Sequence, residues 1–498
     1  MKRRHFIHSA LAAVPAVTFP GFLRAAENAA PLSDVEAVSL QGKEILLKGA
    51  DVKDFGNRLR GELMLRDSAG YDSARRIWNG AFDRHPAMIV RPSGPADVME
   101  AVKFAASNQL LLSVRGGGHS LSGQSVCEKG MMLDLSLMNS ARVDPVRRVA
   151  TIEGGALLGA LDREALAHGL ATTAGTVSHT GVGGLTLGGG FGRLARHFGL
   201  ACDNVRSIDL VTADGKFLTA SAQENKELFW GLRGGGGNFG VATSFDFQLH
   251  PVDPMMLGGD LNYSFEDAAK VLEFYFGFAA EAPDELNIDV SLVRLPNDKR
   301  FLSLDVCYCG PAAAGEKAIA PLRQIRKPIE DSVRPTPYVA LQKSGDVATA
   351  HGHKFYIKAG FLQKTTSALI DDIIATIDGA RLPVVNAVAL PQGGGAIARV
   401  KPNATAFAQR MAPHNMFVMS RWDDAAISDE VGNWTRGAWK KLEPHTHGFY
   451  VNEFNDDSSR MRETYGPNYD RMVALKSKFD PNNLFRLNPN VPPKGVLA

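Results

Sequence analysis

Six consecutive residues, Arg115-Gly116-Gly117-Gly118-His119-Ser120, set a nucleophilic imidazole directly after a run of bare backbone. Three glycines let a chain turn sharply and approach a bulky anion closely, because no Cβ stands in the way. Arg115 offers a fixed cationic fork, and His119 offers a nucleophile that titrates near neutrality. The chemistry predicted is a diphosphate cradle with a reactive imidazole at its rim. A second glycine cluster runs from Thr172 to Leu194 (TTAGTVSHTGVGGLTLGGGFGRL), and a third, Gly234 to Gly237, precedes Asn238 and Val241. No periodic core pattern needs so much glycine. Backbone lying along a cofactor, with peptide N–H groups aimed at phosphate or ring oxygens, does need it.

The hexapeptide around His119 resembles the flavin-attachment signature of the FAD-linked oxidases of the p-cresol methylhydroxylase fold, in their berberine-bridge-enzyme-like branch. The likeness extends from about Tyr71 to the C-terminus. It implies an α+β architecture: a two-part FAD-binding domain of that type and an antiparallel-sheet substrate domain backed by helices. It also implies FAD bonded through its 8α carbon to His119, with Arg115, Gly116, Gly117, Gly118 and Ser120 holding the pyrophosphate. Gly175, Thr176, Thr180, Gly183, Gly184, Gly188, Gly189 and Gly190 are then expected along the diphosphate and ribityl chain. The backbone of Val241 is expected against the flavin, and Asn488 and Asn490 beside its pyrimidine edge or tether. Some relatives carry a cysteine in the second loop that makes a further bond to the ring. Val177 stands at that place here, so a single covalent link is expected.

Flavin oxidation of a carbinol or similar C–H bond needs hydride delivery and a base within reach of the substrate's proton. Many relatives carry an aromatic hydroxyl at the fourth position of a Tyr-x-Asn-Tyr segment. In this chain the segment reads Tyr450-Val451-Asn452-Glu453, so a carboxylate takes that place. Burial beside a flavin raises a carboxyl toward the working range, which makes Glu453 the candidate base. Tyr450 is the alternative hydroxyl, a structural salt bridge is the other reading of Glu453, and Asn452 is a positioning group. The resemblance implies oxidation of a small-molecule alcohol, sugar or amine, with O2 accepting the electrons and H2O2 released. A dehydrogenase passing electrons to a quinone or carrier protein would use the same residues, as would a flavin-binding protein without turnover. A Rossmann NAD enzyme fits poorly, because the first cluster lacks G-x-G-x-x-G and the histidine would have no use.

The elements that must position these residues are readable in part. The chain of 498 residues is long enough for two domains with substantial cores. Its net charge of +2 argues against nucleic acid or an anionic membrane surface as partner. Residues 1–30 read as a twin-arginine-type export signal, with Lys2, Arg3 and Arg4 ahead of a proline-broken apolar run. That predicts a periplasmic or secreted protein with no membrane span in the mature chain. The FAD domain is expected over 31–254, beginning with an extended, polar lead-in to about residue 70. The substrate domain is expected over 255–440, and a C-terminal berberine-bridge-like segment, 441–498, completes the FAD domain. The pattern from Ala87 to Arg115 reads strand, helix, strand, which implies a parallel pair joined by a crossover. Four cysteines, at 127, 202, 307 and 309, do not look like a disulfide framework, and Cys307 and Cys309, in a probable strand, read as buried thiols. No Cys/His group has metal-ligand spacing.

Overall fold

The computed structural model describes residues 32–453 and 458–496, so the export-type segment lies outside the described residues. The stretch expected as an extended lead-in is more structured than that. Val35–Val38 and Glu44–Leu47 pair as a hairpin, Gly49–Arg58 is a helix and Glu62–Leu65 is a strand. The helix escapes a periodicity search because its ten residues bury only Gly49, Val52 and Phe55, too few to mark an apolar stripe.

Two sheets make up the first half of the molecule. A four-stranded sheet runs in the order Glu62–Leu65, Met88–Arg91, Met131–Asp134, Leu112–Arg115. The strands flanking the Pro95–Ser107 helix are parallel, as that helix requires, but they are not neighbours. Met131–Asp134 lies between them and pairs with both. All four of its residues are buried, and such a fully covered strand belongs at the centre of a parallel sheet. The helix starts on Pro95, whose missing N–H costs nothing at that position. A second, five-stranded antiparallel sheet joins Ala141–Asp144, Val149–Glu153, Val205–Val211, Phe217–Ser221 and Val241–Gln248.

From Met255 the chain builds a nine-stranded sheet whose long central strands are Met255–Ser264, Arg300–Tyr308, Leu286–Arg294, Val385–Leu390, Asn415–Trp422 and Lys354–Leu362, in that spatial order. Alternate residues of each strand share one face. Val290, Leu292, Leu302, Leu304, Val388 and Val418 bury one face under helices Ala268–Glu281, Ser367–Asp378 and Ser428–Leu442. The opposite face carries Phe355, Ile357, Ala359, Phe417, Met419, Ala387 and Ala389 in matched register, and it turns toward the first half. Cys307 ends in the Arg300–Tyr308 strand, whereas Cys309 lies just beyond it and is partly exposed, against the expectation of buried thiols.

The end of the chain packs back onto the five-stranded sheet. Phe449, Val451, Met461, Tyr465, Met472, Leu475 and Val491 share one core with Phe245, Phe247 and Leu228. A fully buried ion pair fixes this tail: Lys476 Nζ donates to Asp480 at 2.7 Å, and to the carbonyls of Asn238 (2.9 Å) and Phe485 (2.8 Å). Asp480 in turn accepts the N–H groups of Leu484 and Phe485. Among the described residues, no helix is long and apolar enough to cross a membrane.

Candidate active site

The first two glycine-rich stretches meet each other. A Cβ on Gly117 would fall inside contact distance of Gly181 Cα, and one on Gly181 would strike the Gly117 backbone. Gly116 and Gly183 both lie against the Gly154 carbonyl. Gly175 forms a bridge with Gly192, and Gly188 leaves room only for the Asn452 amide. Much of the glycine expected to lie along a cofactor is therefore needed to bring backbone against backbone. Gly184 differs: it is exposed, and nothing stands within 4 Å of where its Cβ would be.

Arg115 is committed to the protein. Its Nη1 donates to the Ala74 carbonyl at 2.7 Å, and its Nε lies 3.7 Å from Asp134. One arm of the expected cationic fork is thus spent on the protein, while Nε is buried with no hydrogen-bond partner. Gly118, at φ +71°, gives its carbonyl to the Trp78 N–H, and Ser120 Oγ accepts the Gln124 N–H at 3.1 Å. Thr180 N–H closes a turn on the Val177 carbonyl, while Thr176 lies near Gly345, whose added Cβ would touch Val177.

His119 is stacked on Trp78 with ring centroids 4.1 Å apart and planes inclined by 16°. Trp78 stacks in turn on Phe355, at 4.2 Å, which brings the histidine to one end of the inner face of the large sheet. His119 Nε2 is 3.1 Å from His179 Nδ1, and His351 lies edge-on beyond them. Burial, then the neighbouring His179 and His351, push the His119 imidazole down to about 3, so it is neutral at physiological pH. The loop from Lys343 to His353 closes over this end. Asp346 accepts from Ser178 N and Oγ at 3.0 and 2.6 Å, Trp78 Nε1 donates to the Thr349 carbonyl, and Gly80 N donates to the His353 carbonyl.

Glu453 lies at the other end of the same face. Asn415 Nδ2 donates to Glu453 Oε2 at 2.7 Å, and Asn415 is paired in register with Phe361, six residues along the strand from Phe355. Six residues of strand span about 20 Å. Burial pushes the Glu453 carboxyl up to about 8, against the lowering effect of the Asn415 amide. Tyr450 is closed off. Its oxygen accepts the Gly190 N–H at 2.9 Å and the Asn452 amide at 2.7 Å, and burial holds the phenol well above its usual range. Asn452 also donates to the Leu185 carbonyl, so it pins the second glycine loop to the tail.

Val241 opens its strand with a buried side chain, in the core that also holds Leu484 and Phe485. Asn488 donates to the carbonyls of Gly237 and Phe485, whereas the Oδ1 atoms of Asn488 and Asn490 are buried with no hydrogen-bond partner. Buried acceptors in this state await a donor. Together with the open edge at Gly184, they fit a flavin nucleotide whose imide and ribityl groups supply N–H and O–H. Asp203 and Asn204 anchor the neighbouring loops: Arg410 forks onto Asp203 at 2.7 and 2.8 Å, and Asn204 donates to the carbonyls of Phe198 and Leu200.

Comparison with known proteins agrees with this geometry. Residues 86–221 match the family model described as FAD binding domain, and residues 449–492 match the model described as Berberine and berberine like. A FAD-linked oxidoreductase of Dictyostelium discoideum is 31% identical over 446 residues, covering 89% of this chain and 97% of that one. The (R)-6-hydroxynicotine oxidase of Paenarthrobacter nicotinovorans is 31% identical over 461 residues, covering 88% and 98%. Among solved structures, 6-hydroxy-D-nicotine oxidase from Arthrobacter nicotinovorans superposes with a TM-score of 0.81 at 28% identity, covering 88% and 98%. Xylooligosaccharide oxidase from Myceliophthora thermophila, bound to xylobiose, superposes with a TM-score of 0.81 at 25% identity, covering 89% and 100%.

Proposed function

The chain belongs to the berberine-bridge-like FAD-linked oxidoreductases, and from that premise we propose that it oxidises a small-molecule alcohol, sugar or amine while holding its flavin covalently through His119 alone, with O2 as final acceptor and H2O2 as product. The observation that carries the reading is the placement of His119 and Glu453 at opposite ends of one apolar sheet face, with the glycine loops beneath it.

Bound FAD supplies the two-electron acceptor. The rest of the chemistry belongs to the chain. Glu453, ionised, takes the proton from the substrate's hydroxyl or amine as hydride leaves the adjacent carbon. Asn415 orients that carboxylate and restrains its basicity by donating to Oε2. Tyr450 does not compete as the base, because both lone pairs of its oxygen are engaged. Its part is to hold the Gly188–Gly190 turn. The wall of Ile357, Ala359, Phe417, Met419, Ala387 and Ala389 excludes water and receives the substrate's carbon skeleton. The relatives that act on 6-hydroxynicotine and on xylooligosaccharides define the panel of candidates, amines and sugars together with simple alcohols. Val177, an aliphatic residue, gives the loop no thiol for a second link.

The test is the mass of the denatured polypeptide, followed by peroxide release across that panel. Wild type is expected to carry one FAD and His119→Ala none that survives acid. Unmodified wild type made with ample riboflavin would refute the attachment, and flavin that stays oxidised with every substrate would refute turnover. Export rests on the basic head and apolar run before residue 31. Replacing Arg3 and Arg4 with lysine is expected to keep the protein in the cytoplasm, and unchanged fractionation would remove that assignment.

A further inference from the structure

We propose that the substrate is a linear amine with a second charged nitrogen, held between the Asn415 side-chain oxygen beside Glu453 and a row of carboxylates that continues across the same sheet face. The inference rests on the oxidase reading above and narrows it from three substrate classes to one.

The inner face of the large sheet is apolar only in part. Asn415 N donates to the Pro391 carbonyl at 3.1 Å and Gln392 bridges to His414, so Asn415 and Pro391 stand side by side on adjacent strands. The register carries the same line onward from Pro391 to Asp289, then to Asp305 and Asp260. Strands lie about 4.8 Å apart, which sets Asp289 about 10 Å and Asp260 about 19 Å from Asn415. Ser291 and Ser303 pair alongside this line, where the apolar wall gives way to polar side chains.

Both ends of the line lack a partner. Asn415 is 1% exposed; its Nδ2 is spent on Glu453, and its Oδ1 has no hydrogen-bond partner. A buried acceptor in that state needs a donor, and beside the candidate base that donor is the N–H of the reacting nitrogen. The carboxylate row needs a cation. Arg193 pairs with Asp305 and gives its other arm to Ser344 at 3.1 Å, so one guanidinium serves three carboxylates. Arg421, also on this face, lies beside Phe355 and donates to the Ala348 carbonyl. Gln392 N and Asn287 Nδ2 both donate to Oδ1 of Asp289, at 2.9 and 3.2 Å, and among the described residues nothing donates to its Oδ2. Burial, and then the charge on Asp305, push Asp260 and Asp289 each up to about 6, so both are ionised where Glu453 can act. A bound ammonium relieves that crowding of like charges, whereas a neutral sugar or alcohol leaves it. Between the two ends the line crosses only Pro391, with Ala389 beside it, where a methylene chain lies without stranding a polar group.

The experiment uses the holoenzyme with 1,8-diaminooctane, octylamine and 1,8-octanediol, which share one carbon chain and differ in their end groups. Calorimetry measures binding and stopped flow measures flavin reduction. Wild type is expected to bind the diamine roughly 10- to 10²-fold more tightly than octylamine, through the charge-assisted contact at the far end, and to be reduced by it. Asp289→Asn keeps an acceptor for the Gln392 N–H and is expected to remove most of that preference, whereas a general loss of structure would weaken both amines and keep their ratio. Asn415→Leu is expected to weaken both amines, and octylamine binding unchanged by it overturns the place given to the reacting nitrogen. Equal affinity of wild type for the two amines, or a preference that survives Asp289→Asn, overturns the inference and leaves the oxidase reading standing. Should Asp289→Asn fail to fold, Ser291→Lys decides by setting a cation beside the row: the preference should vanish, and its survival overturns the proposal. A diamine that binds preferentially yet leaves the flavin oxidised, while a sugar or an alcohol bleaches it, overturns the substrate assignment alone. Flavin bleached by no member of the panel removes both readings together.

Discussion

The amide of Asn415 and the carboxyl of Glu453 meet across 2.7 Å, joining the inner face of the substrate sheet to the C-terminal segment. One partner comes from each half of the molecule, so the candidate base exists in working geometry only when the halves are docked. Burial raises Glu453 to about 8, so below that pH the carboxyl is protonated and cannot accept a proton. Flavin reduction in wild type is expected to accelerate as pH rises through about 8. Glu453→Gln is expected to slow it roughly 10²- to 10⁴-fold and to abolish that dependence. Asn415→Leu removes the one influence that lowers Glu453, so the rise should move to higher pH. Stopped-flow bleaching of the flavin against pH measures all three.

Tyr450→Phe separates structure from chemistry. The change leaves the Gly190 N–H without its acceptor and removes one of the two acceptors of the Asn452 amide. A loss of about 1–3 kcal/mol in urea unfolding is expected, with flavin reduction far less affected than in Glu453→Gln. A collapse of the reductive rate in the folded variant would return the role of base to the phenol.

Two glycines, one from each of the first two glycine-rich stretches, predict opposite outcomes. Gly117→Ala drives a methyl group into the Gly181 backbone and is expected to destabilise the apoprotein by about 1–3 kcal/mol. Gly184→Ala meets nothing within 4 Å and sits inside the short Val182–Leu187 helix, where alanine is the better helix former. Its apoprotein should be no less stable, and any loss should appear as weaker uptake of FAD. Thermal melts with and without FAD distinguish the two effects.

The Lys476–Asp480 pair predicts a large penalty when broken on one side only. Lys476→Met strands a buried carboxylate, with an expected cost of about 3–5 kcal/mol. Changing both residues, Lys476→Met with Asp480→Asn, should recover part of that loss. Chemical denaturation of the three proteins measures it.

Local features of this site were legible in the sequence, and assembled ones were not. The hexapeptide ending in Ser120, the glycine loops and the substitution of Glu453 into a Tyr-x-Asn-x segment are contiguous, so their chemistry can be read directly from residue type and spacing. Trp78 and Thr349 meet although 271 positions separate them, and nothing near either residue announces the contact. His179 stands within the second glycine cluster, but its contact with His119 appears only in the fold. Asn415 opens a strand, and nothing near it in the chain announces the tail that folds over it. The Gly49–Arg58 helix is not legible because a small buried set on a polar helix gives no pattern, nor is the insertion of the Met131–Asp134 strand, because strand order is set by packing rather than by sequence order.

The loop crossing His119 comes from past residue 343, and the asparagines with waiting acceptors stand later still, at 488 and 490. A nascent chain emerging from the ribosome therefore owns the nucleophile long before it owns the bed. Flavin uptake is expected to wait until both later segments are made, and a chain cut short before Asn488 would be expected to yield a colourless product.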